Sequence, residues 1–330
     1  MLKFPLTSHQ LVGAVTLAFW ACMAGAQTAA SYPTKAVRII VPYAAGGSVG
    51  PTTRIFAQKL SEIWGQPVII DNRPGGNTII GTQAVARSPA DGYTLLAISN
   101  THIINPSLQP KLPYDTFKDF AAVATLTKSD YLLAANPAFP PNTLKEFIAY
   151  AKANPGKVNS VANGMGTVQH LVNELFMDAT GTRFTVVPYK GGGQSTSDLI
   201  GGVVEISFNN LLNLASHVKA GQLKGIAISG DKRHPLLPDV PTFAEAELPG
   251  FVASNWFGML APADTPKDII QKINADIEKV QNSDDVRSLL AKQGLDPFSN
   301  TVAATEALLK NDYERFGKII RNKGIKLNTQ

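Results

Sequence analysis

Two glycine-containing segments combine residue types that bind an anion without a cationic side chain. The first runs from Tyr43 to Gly50 and the second from Asn163 to His170. Each follows a β-branched run and precedes an amphipathic run, which places it at a strand-to-helix turn. Free backbone N–H groups and the positive end of the helix dipole favour an anion at such a turn. Either segment alone is explained by glycines that permit a tight turn. The two together predict a site for one carboxylate.

The residues predicted to bind a ligand lie in or beside these segments. The carboxylate is expected between the two glycine turns, held mainly by backbone N–H groups through charge-assisted hydrogen bonds. Polar side chains near Asn100 and at the start of the helix after Thr167 are candidates for a distal polar group. His170 is equally well explained as an ordinary helix residue. The predicted set is Tyr43, Ala44, Gly46, Gly47, Ser48, Val49, Gly50, Asn100, Thr101, Gly164, Gly166, Thr167, Val168, Gln169, His170 and Asn209.

Three further side chains leave alternatives open. The ammonium group of Lys190 is the main contact of the carboxylate in a competing model. Tyr43 and Trp256 flank an apolar or aromatic ligand body in one interpretation, whereas aromatic residues at such positions more often belong to a core. We keep both interpretations for these positions.

The sequence lacks the motifs of common catalytic sites. Cys22 is the only cysteine, and it lies in the apolar N-terminal segment. No histidine pair has the spacing of a metal site, and the motifs of common hydrolases and P-loop enzymes are absent. The run from Gly164 to Gln169 resembles a dinucleotide loop that lacks its third glycine. We predict no catalytic residue, no metal and no cofactor, and a nucleotide-dependent enzyme is the weaker alternative.

Composition and the N-terminal segment indicate an exported, folded protein. The chain has 330 residues, 44% of them hydrophobic and 17% charged, with a net charge of +5. No run of basic residues interleaved with aromatic ones suggests nucleic-acid binding. Residues 1–26 have a basic start at Lys3, an apolar centre, and an Ala24-Gly25-Ala26 end that is typical of a signal peptide. We therefore predict cleavage near Ala26 and a periplasmic location. Lipidation at Cys22 is left open.

The elements that position these segments alternate between strands and helices. Residues 37–98 have a βαβαβ pattern, and a similar pattern recurs over residues 143–229. Two apolar extended runs, 121–135 and 252–261, connect the halves as crossover strands. We predict an α/β protein of two lobes, each a βα domain, joined by two crossover strands, with the ligand in the cleft between the lobes. Lobe 1 is assigned to residues 27–127 and 252–330, and lobe 2 to residues 128–251.

From about Tyr32 to the C-terminus the sequence resembles the periplasmic substrate-binding proteins of tripartite tricarboxylate transporters, the Bordetella uptake gene (Bug) family. The resemblance implies a two-lobed, clamp-like type II periplasmic-binding-protein fold, no cofactor, and membrane permease subunits as partners. Gly50 and Asn209 stand where the family usually has acidic residues, and an ammonium group on a ligand needs such acids. The matching stretches are Tyr32-Pro33, Val41-Pro42-Tyr43-Ala44-Ala45-Gly46-Gly47, Asn72-Arg73-Pro74-Gly75, Asp91-Gly92-Tyr93-Thr94-Leu95, Val187-Pro188-Tyr189-Lys190-Gly191-Gly192, Pro238-Asp239-Val240-Pro241-Thr242, Trp256-Phe257-Gly258 and Ala261-Pro262.

These observations predict a monomeric solute-binding protein and not an enzyme. The expected ligand is a small organic carboxylate without an amino group, either a dicarboxylate or an aromatic carboxylate. The expected partners are the permease subunits of a tripartite transporter, and no nucleic acid. A ligand-sensing module for a membrane sensor kinase would use the same cleft and is the alternative that the sequence leaves open.

Overall fold

The computed structural model describes residues 31–44, 48–109, 111–189, 192–251 and 253–325. The predicted signal segment 1–26, Gly46 and Gly47 of the first glycine turn, and Lys190 lie outside these ranges. Within the described residues the chain forms ten strands and ten helices, and the strands belong to a single mixed sheet.

The first half of the fold is a parallel βαβαβ unit. Its central strand β1 pairs in parallel with β2 on one side and β3 on the other. Parallel strands end at the same edge of a sheet, so the segments that follow β1 and β3 lie side by side. Its elements are β1 (Val37–Val41), α1 (Val49–Trp64), β2 (Val68–Asn72), α2 (Ile79–Ala86), β3 (Thr94–Ser99) and α3 (Thr101–Leu108).

The second half repeats this plan around a second parallel group. Strand β5 pairs in parallel with β6 and β7, so the segments after these strands also meet at one edge. The sequence pattern predicts β7 from Val203, but the strand begins at Ile206, because Gly202 has a φ of +75° and the Val203 N–H still bonds Asp198 of the preceding helix. The elements are α4 (Leu144–Ala153), β5 (Asn159–Ala162), α5 (Val168–Thr180), β6 (Thr185–Pro188), α6 (Gly192–Ile200), β7 (Ile206–Asn210), α7 (Leu211–Lys219) and β8 (Lys224–Ile228).

Two long strands connect the halves, as the apolar extended runs predict. Strand β4 (Phe120–Ala135) pairs antiparallel with β9 (Ser254–Pro262) over Phe120–Asp130, and with β7 and β8 over its last five residues. The sheet order is therefore β2-β1-β3-β9-β4-β7-β5-β6, in which β4 belongs to both halves. A short strand β10 (Asp296–Pro297), which the sequence pattern does not indicate, also pairs with β4.

The C-terminal helices pack the two halves together. Helix α8 buries Ile269, Ile273 and Ile277 in the core of the first half, as the spacing of its isoleucines requires. A second core lies around α6 and α7, and a third includes residues of both halves together with Phe316 of the last helix. The halves therefore share one core in addition to their own. The helices are α8 (Lys267–Asn282), α9 (Asp284–Lys292) and α10 (Val302–Lys323).

Candidate functional site

A cavity of ≈ 660 Å³ lies where the ends of the parallel strands of both halves face each other. Its volume is in the range of pockets for small organic molecules. Among the described residues that line it there is no Asp, Glu, Lys or Arg. The lining residues are Tyr43, Ala44, Ser48, Val49, Ser99, Thr101, Tyr131, Asn163, Thr167, Val168, Gln169, Gly192, Gly193, Thr196, Ser197, Ile200, Asn209, Asn210, Asn213, His217, Asn255 and Phe257.

The N-termini of five helices converge on this cavity. They are marked by Ser48 before α1, Thr101 of α3, Thr167 before α5, Gly192 of α6 and Asn210 before α7. The first N–H groups of a helix have no acceptor within it, and the helix dipole places partial positive charge there. Because no ionised carboxylate lines the described wall, this positive potential is not neutralised locally. Such a wall favours an anion over a cation.

The second glycine segment has a backbone shape that glycine makes possible. Gly164 and Gly166 have φ values of +107° and +76°, in the region that other residues rarely adopt. The Thr167 hydroxyl donates to the Gly164 carbonyl at 2.9 Å and accepts the His170 N–H at 3.4 Å, so Thr167 caps α5. These bonds fix the turn and leave the N–H groups of the first helical turn without intrahelical acceptors.

His170 stabilises this turn from the side away from the cavity and does not line the cavity. Its side chain is buried, and its Nδ1 accepts the Gly166 N–H at 3.0 Å. Its Nε2 lies 3.7 Å from Oε1 of Glu174, one helical turn further on. Burial lowers the pKa of His170 and raises that of Glu174, which favours the neutral ring needed to accept the Gly166 proton. The Gly166 N–H is therefore already paired, and Val168 and Gln169 supply the free donors.

The first glycine segment is described from Ser48 onward. Ser48 has helical dihedral angles and makes no side-chain cap bond; its hydroxyl lies instead 3.4 Å from Nδ2 of Asn210 in the other half. In the first turn of α1, Val49 and Gly50 carry backbone N–H groups, whereas Pro51 has none. Gly50 is buried and does not line the cavity itself. We call the region between the first turns of α1 and α5 the anion site.

Tyr43 forms a fixed part of the wall next to the anion site. Its hydroxyl accepts the Ser99 N–H at 3.1 Å and lies 2.8 Å from the Ser99 hydroxyl. Burial raises the pKa of Tyr43, so the phenol stays neutral. Thr101 donates its N–H to the same serine hydroxyl at 3.3 Å. Ser99, which the sequence analysis missed, thus connects two predicted residues.

In the second half, amide side chains stabilise the wall. Gln169 accepts the Asn163 N–H at 2.8 Å and donates to Ser207 at 3.3 Å. Asn209 accepts from the Asn210 N–H at 2.8 Å and from the Asn213 amide at 2.9 Å. Both polar side-chain atoms of Gln169 and the Oδ1 of Asn209 are therefore bonded within the protein.

Asn100 and Trp256 lie behind the cavity. Asn100 is completely buried, and its Oδ1 accepts the backbone N–H of Trp256 at 3.0 Å. Both side chains donate to Oδ2 of Asp312 on α10. Trp256 faces the core, and its neighbours Asn255 and Phe257 line the cavity, because successive residues of a strand point to opposite faces.

The structure thus brings together Tyr43, Ala44, Ser48, Val49, Thr101, Thr167, Val168, Gln169 and Asn209 from the predicted set. Gly50, Asn100, Gly164, Gly166 and His170 lie outside the lining, and Gly46 and Gly47 lie outside the described residues. The sequence analysis missed the residues that the two crossover strands contribute to the floor of the cavity. That floor is Tyr131, Asn255 and Phe257.

His102 provides a test of packing beside the site. Its ring is buried against Tyr114 and Phe120, and burial lowers its pKa from 6.5 to about 4. The unfolded chain therefore takes up a proton at higher pH than the folded protein, and stability is lost as pH falls through this window. We expect a loss of about 2 kcal/mol between pH 7 and pH 5, at ~1.4 kcal/mol per pKa unit.

Urea unfolding of wild type and His102→Gln at both pH values measures this loss. All other groups titrate alike in the two proteins, so the difference in their pH dependence belongs to His102. Equal pH dependence of both proteins would show that the ring is not buried as a neutral group.

Together, two α/β halves on shared strands and a cavity ringed by helix N-termini define a solute-binding protein of the periplasmic-binding-protein type. Residues 52–325 match the model of the tripartite tricarboxylate transporter family receptor, TctC. The chain is 37% identical to Protein BugT of Bordetella pertussis over 302 residues, which cover 91% of this chain and 93% of BugT. The chain belongs to this family of binding proteins, so the prediction that it is not an enzyme is confirmed.

Solved structures give the same result. Rpa4515 of R. palustris, solved with adipate, is 31% identical, with a TM-score of 0.84 over 90% of this chain and 100% of that one. MatC from Rhodopseudomonas palustris, solved with bound malate, is 31% identical, with a TM-score of 0.79 over 88% and 100%. These similarities confirm the predicted fold class. In the part of the chain that the structure describes, no helix is long and apolar enough to cross a membrane.

Proposed function

We propose that the protein binds a small organic carboxylate without an amino group in this cavity. The observation on which this proposal rests is the convergence of five helix N-termini on a wall whose described residues include no Asp, Glu, Lys or Arg. Helix N-termini stabilise a carboxylate, whereas an ammonium group there would meet the same positive potential without an acid to neutralise it. Adipate and malate, the ligands of the two related structures, are carboxylates of this kind.

We further propose that the carboxylate is held in the anion site by both halves at once. Val49 and Gly50 would donate from α1, and Val168 and Gln169 from α5. The predicted lobes, 27–127 with 252–330 and 128–251, would close on the ligand about β4 and β9. A ligand that contacts both lobes favours the closed form by its extra affinity for that form.

In the cell, the closed form would deliver the carboxylate to the membrane subunits of a tripartite transporter. The chain's membership in the tripartite tricarboxylate transporter receptor family supports this role. We also propose that the chain is cleaved near Ala26 after export. The mature protein then acts as a monomer in the periplasm.

A thermal-shift screen of small carboxylates against the mature protein tests the function. A ligand at 100 times its Kd should stabilise the protein by about 2.7 kcal/mol. Matched amino acids should give no shift, because the described wall contains no acidic residue. Small-angle scattering should show a smaller radius of gyration with the ligand and the mass of one chain. No shift with any carboxylate, or equal shifts with the amino acids, would contradict the proposal.

A Lys190→Ala variant distinguishes two models of how the carboxylate is held: by backbone N–H groups or by the ammonium group of Lys190. If the N–H groups of α1 and α5 hold the carboxylate, this variant binds within a few-fold of wild type. Loss of all binding in Lys190→Ala would favour the ammonium group as the main contact.

A further inference from the structure

The cavity extends well beyond the anion site, between two helices of the second half. Gly193 and Ile200, seven residues apart on α6, both line it. Asn210, directly before α7, and His217 within α7 are also seven residues apart, and both line the opposite side. Positions i and i+7 lie on one face of a helix, and seven residues span about 10.5 Å of helix axis. The cavity therefore has an extended arm between α6 and α7, with His217 at its far end.

One end of this arm is fixed at the anion site. Nδ2 of Asn210 lies 3.4 Å from the hydroxyl of Ser48, directly before α1. Helical side chains lean toward the N-terminus of their helix, which brings the His217 ring back toward the anion site. A ligand that contacts both the anion site and this ring must therefore be elongated along α7.

The far end of the arm presents one imidazole. Nδ1 of His217 lies 2.7 Å from Oε1 of Gln222, and an amide oxygen only accepts hydrogen bonds. With this orientation of the Gln222 amide, Nδ1 is the donor of that bond and Nε2 is the ring nitrogen left for a ligand. A carboxylate bound at Nε2 would accept a second N–H from a ring that already donates through Nδ1. No other basic side chain lines the cavity in the ranges that the structure describes.

We propose that His217 is a specificity residue that pairs with a second carboxylate, and that the ligand is an elongated dicarboxylate. This inference depends on the proposed function, since it assumes that the first carboxylate occupies the anion site. The second carboxylate lies in the arm between α6 and α7, and Gln222 orients the ring that receives it.

The test measures Kd by calorimetry in one buffer of fixed ionic strength. The ligands are unbranched dicarboxylates of four, six and eight carbons, each compared with the monocarboxylate of the same length. In wild type we expect the six- or eight-carbon dicarboxylate to bind at least tenfold more tightly than its monocarboxylate, and the four-carbon pair to differ less. In His217→Gln, which keeps hydrogen-bonding groups but cannot become charged, this preference should fall below about threefold. The monocarboxylate affinities should stay within about threefold.

Controls separate this effect from damage to the fold. His217→Lys restores a cation and should recover part of the preference, and the Tm of each variant without ligand should stay close to wild type. If the tenfold preference survives in His217→Gln, or if Lys190→Gln removes it instead, the proposal is wrong. If monocarboxylates bind but no chain length favours the dicarboxylate, this inference fails and the proposed function stands. If no carboxylate binds to wild type, both fail.

Discussion

Thr167→Asp is expected to weaken carboxylate binding at least tenfold while the unliganded protein stays as stable as wild type. Thr167 lines the cavity and caps α5 at the anion site. Two like charges about 4 Å apart repel by up to about 4 kcal/mol at the effective dielectric of a protein surface. A tenfold loss, ~1.4 kcal/mol, is therefore a lower limit. Because Asp is a favourable N-cap and its charge suits a helix N-terminus, folding should not suffer.

Thr167→Asn is the matched control for this prediction. Asn has the shape of Asp and caps helices equally well, but it carries no charge. We expect it to bind the ligand within about threefold of wild type. Calorimetry gives the affinities, and urea unfolding without ligand gives the stabilities. Equal affinities of the Asp and Asn variants would mean that no anion lies near the N-terminus of α5.

The sequence predicts the fold well, because the elements that matter are marked locally. The strand-to-helix glycine turns, the parallel units and the two apolar crossover strands each depend on residue patterns within short windows. Strand β10 has two residues and exists through its pairing with β4, more than 160 positions earlier in the chain. Such a non-local bond leaves no periodic pattern in the sequence.

The site is predicted less completely, because the direction of a side chain depends on tertiary packing. In β9, Trp256 and Phe257 are adjacent aromatics, and the pairing of the strand decides which one faces the cavity. A shift of one residue exchanges the two faces. Tyr131 and Asn255 become the floor only because β4 pairs with both β9 and β7.

His170 shows the same limit within a helix. Its position in the first turn of α5 permits either a ligand contact or a bond to the preceding turn. The structure contains the second arrangement, with Nδ1 on the Gly166 N–H. Gly192 and Gly193, in contrast, could be predicted from the sequence. They lie in a glycine run after a strand, and this is the same pattern of a strand-to-helix turn that marks the first two segments.

The second large effect is expected from Asp312, which connects the last helix to the back of the site. Its Oδ2 accepts hydrogen bonds from the Asn100 amide at 3.2 Å and from Trp256 Nε1 at 2.7 Å. Asp312 and both donors are buried. In Asp312→Ala the two donors lose their acceptor, and each buried unpaired donor costs about 1–3 kcal/mol. We therefore expect the two unpaired donors together to cost roughly 2–6 kcal/mol.

Asp312→Asn separates the hydrogen bonds from the charge. An Asn oxygen in place of Oδ2 keeps both bonds, and the amide nitrogen then replaces Oδ1, which lies 3.4 Å from the half-exposed Arg315. An exposed ion pair of this kind contributes about 0–1 kcal/mol, so the Asn variant should lose no more than that. Urea unfolding of the three proteins at neutral pH measures the differences. If Asp312→Asn is as unstable as Asp312→Ala, the charge and not the two hydrogen bonds holds α10 against α3 and β9. If neither variant loses more than about 1 kcal/mol, the buried network contributes little to stability, and α10 is held by the apolar packing of Phe316 and Ile320.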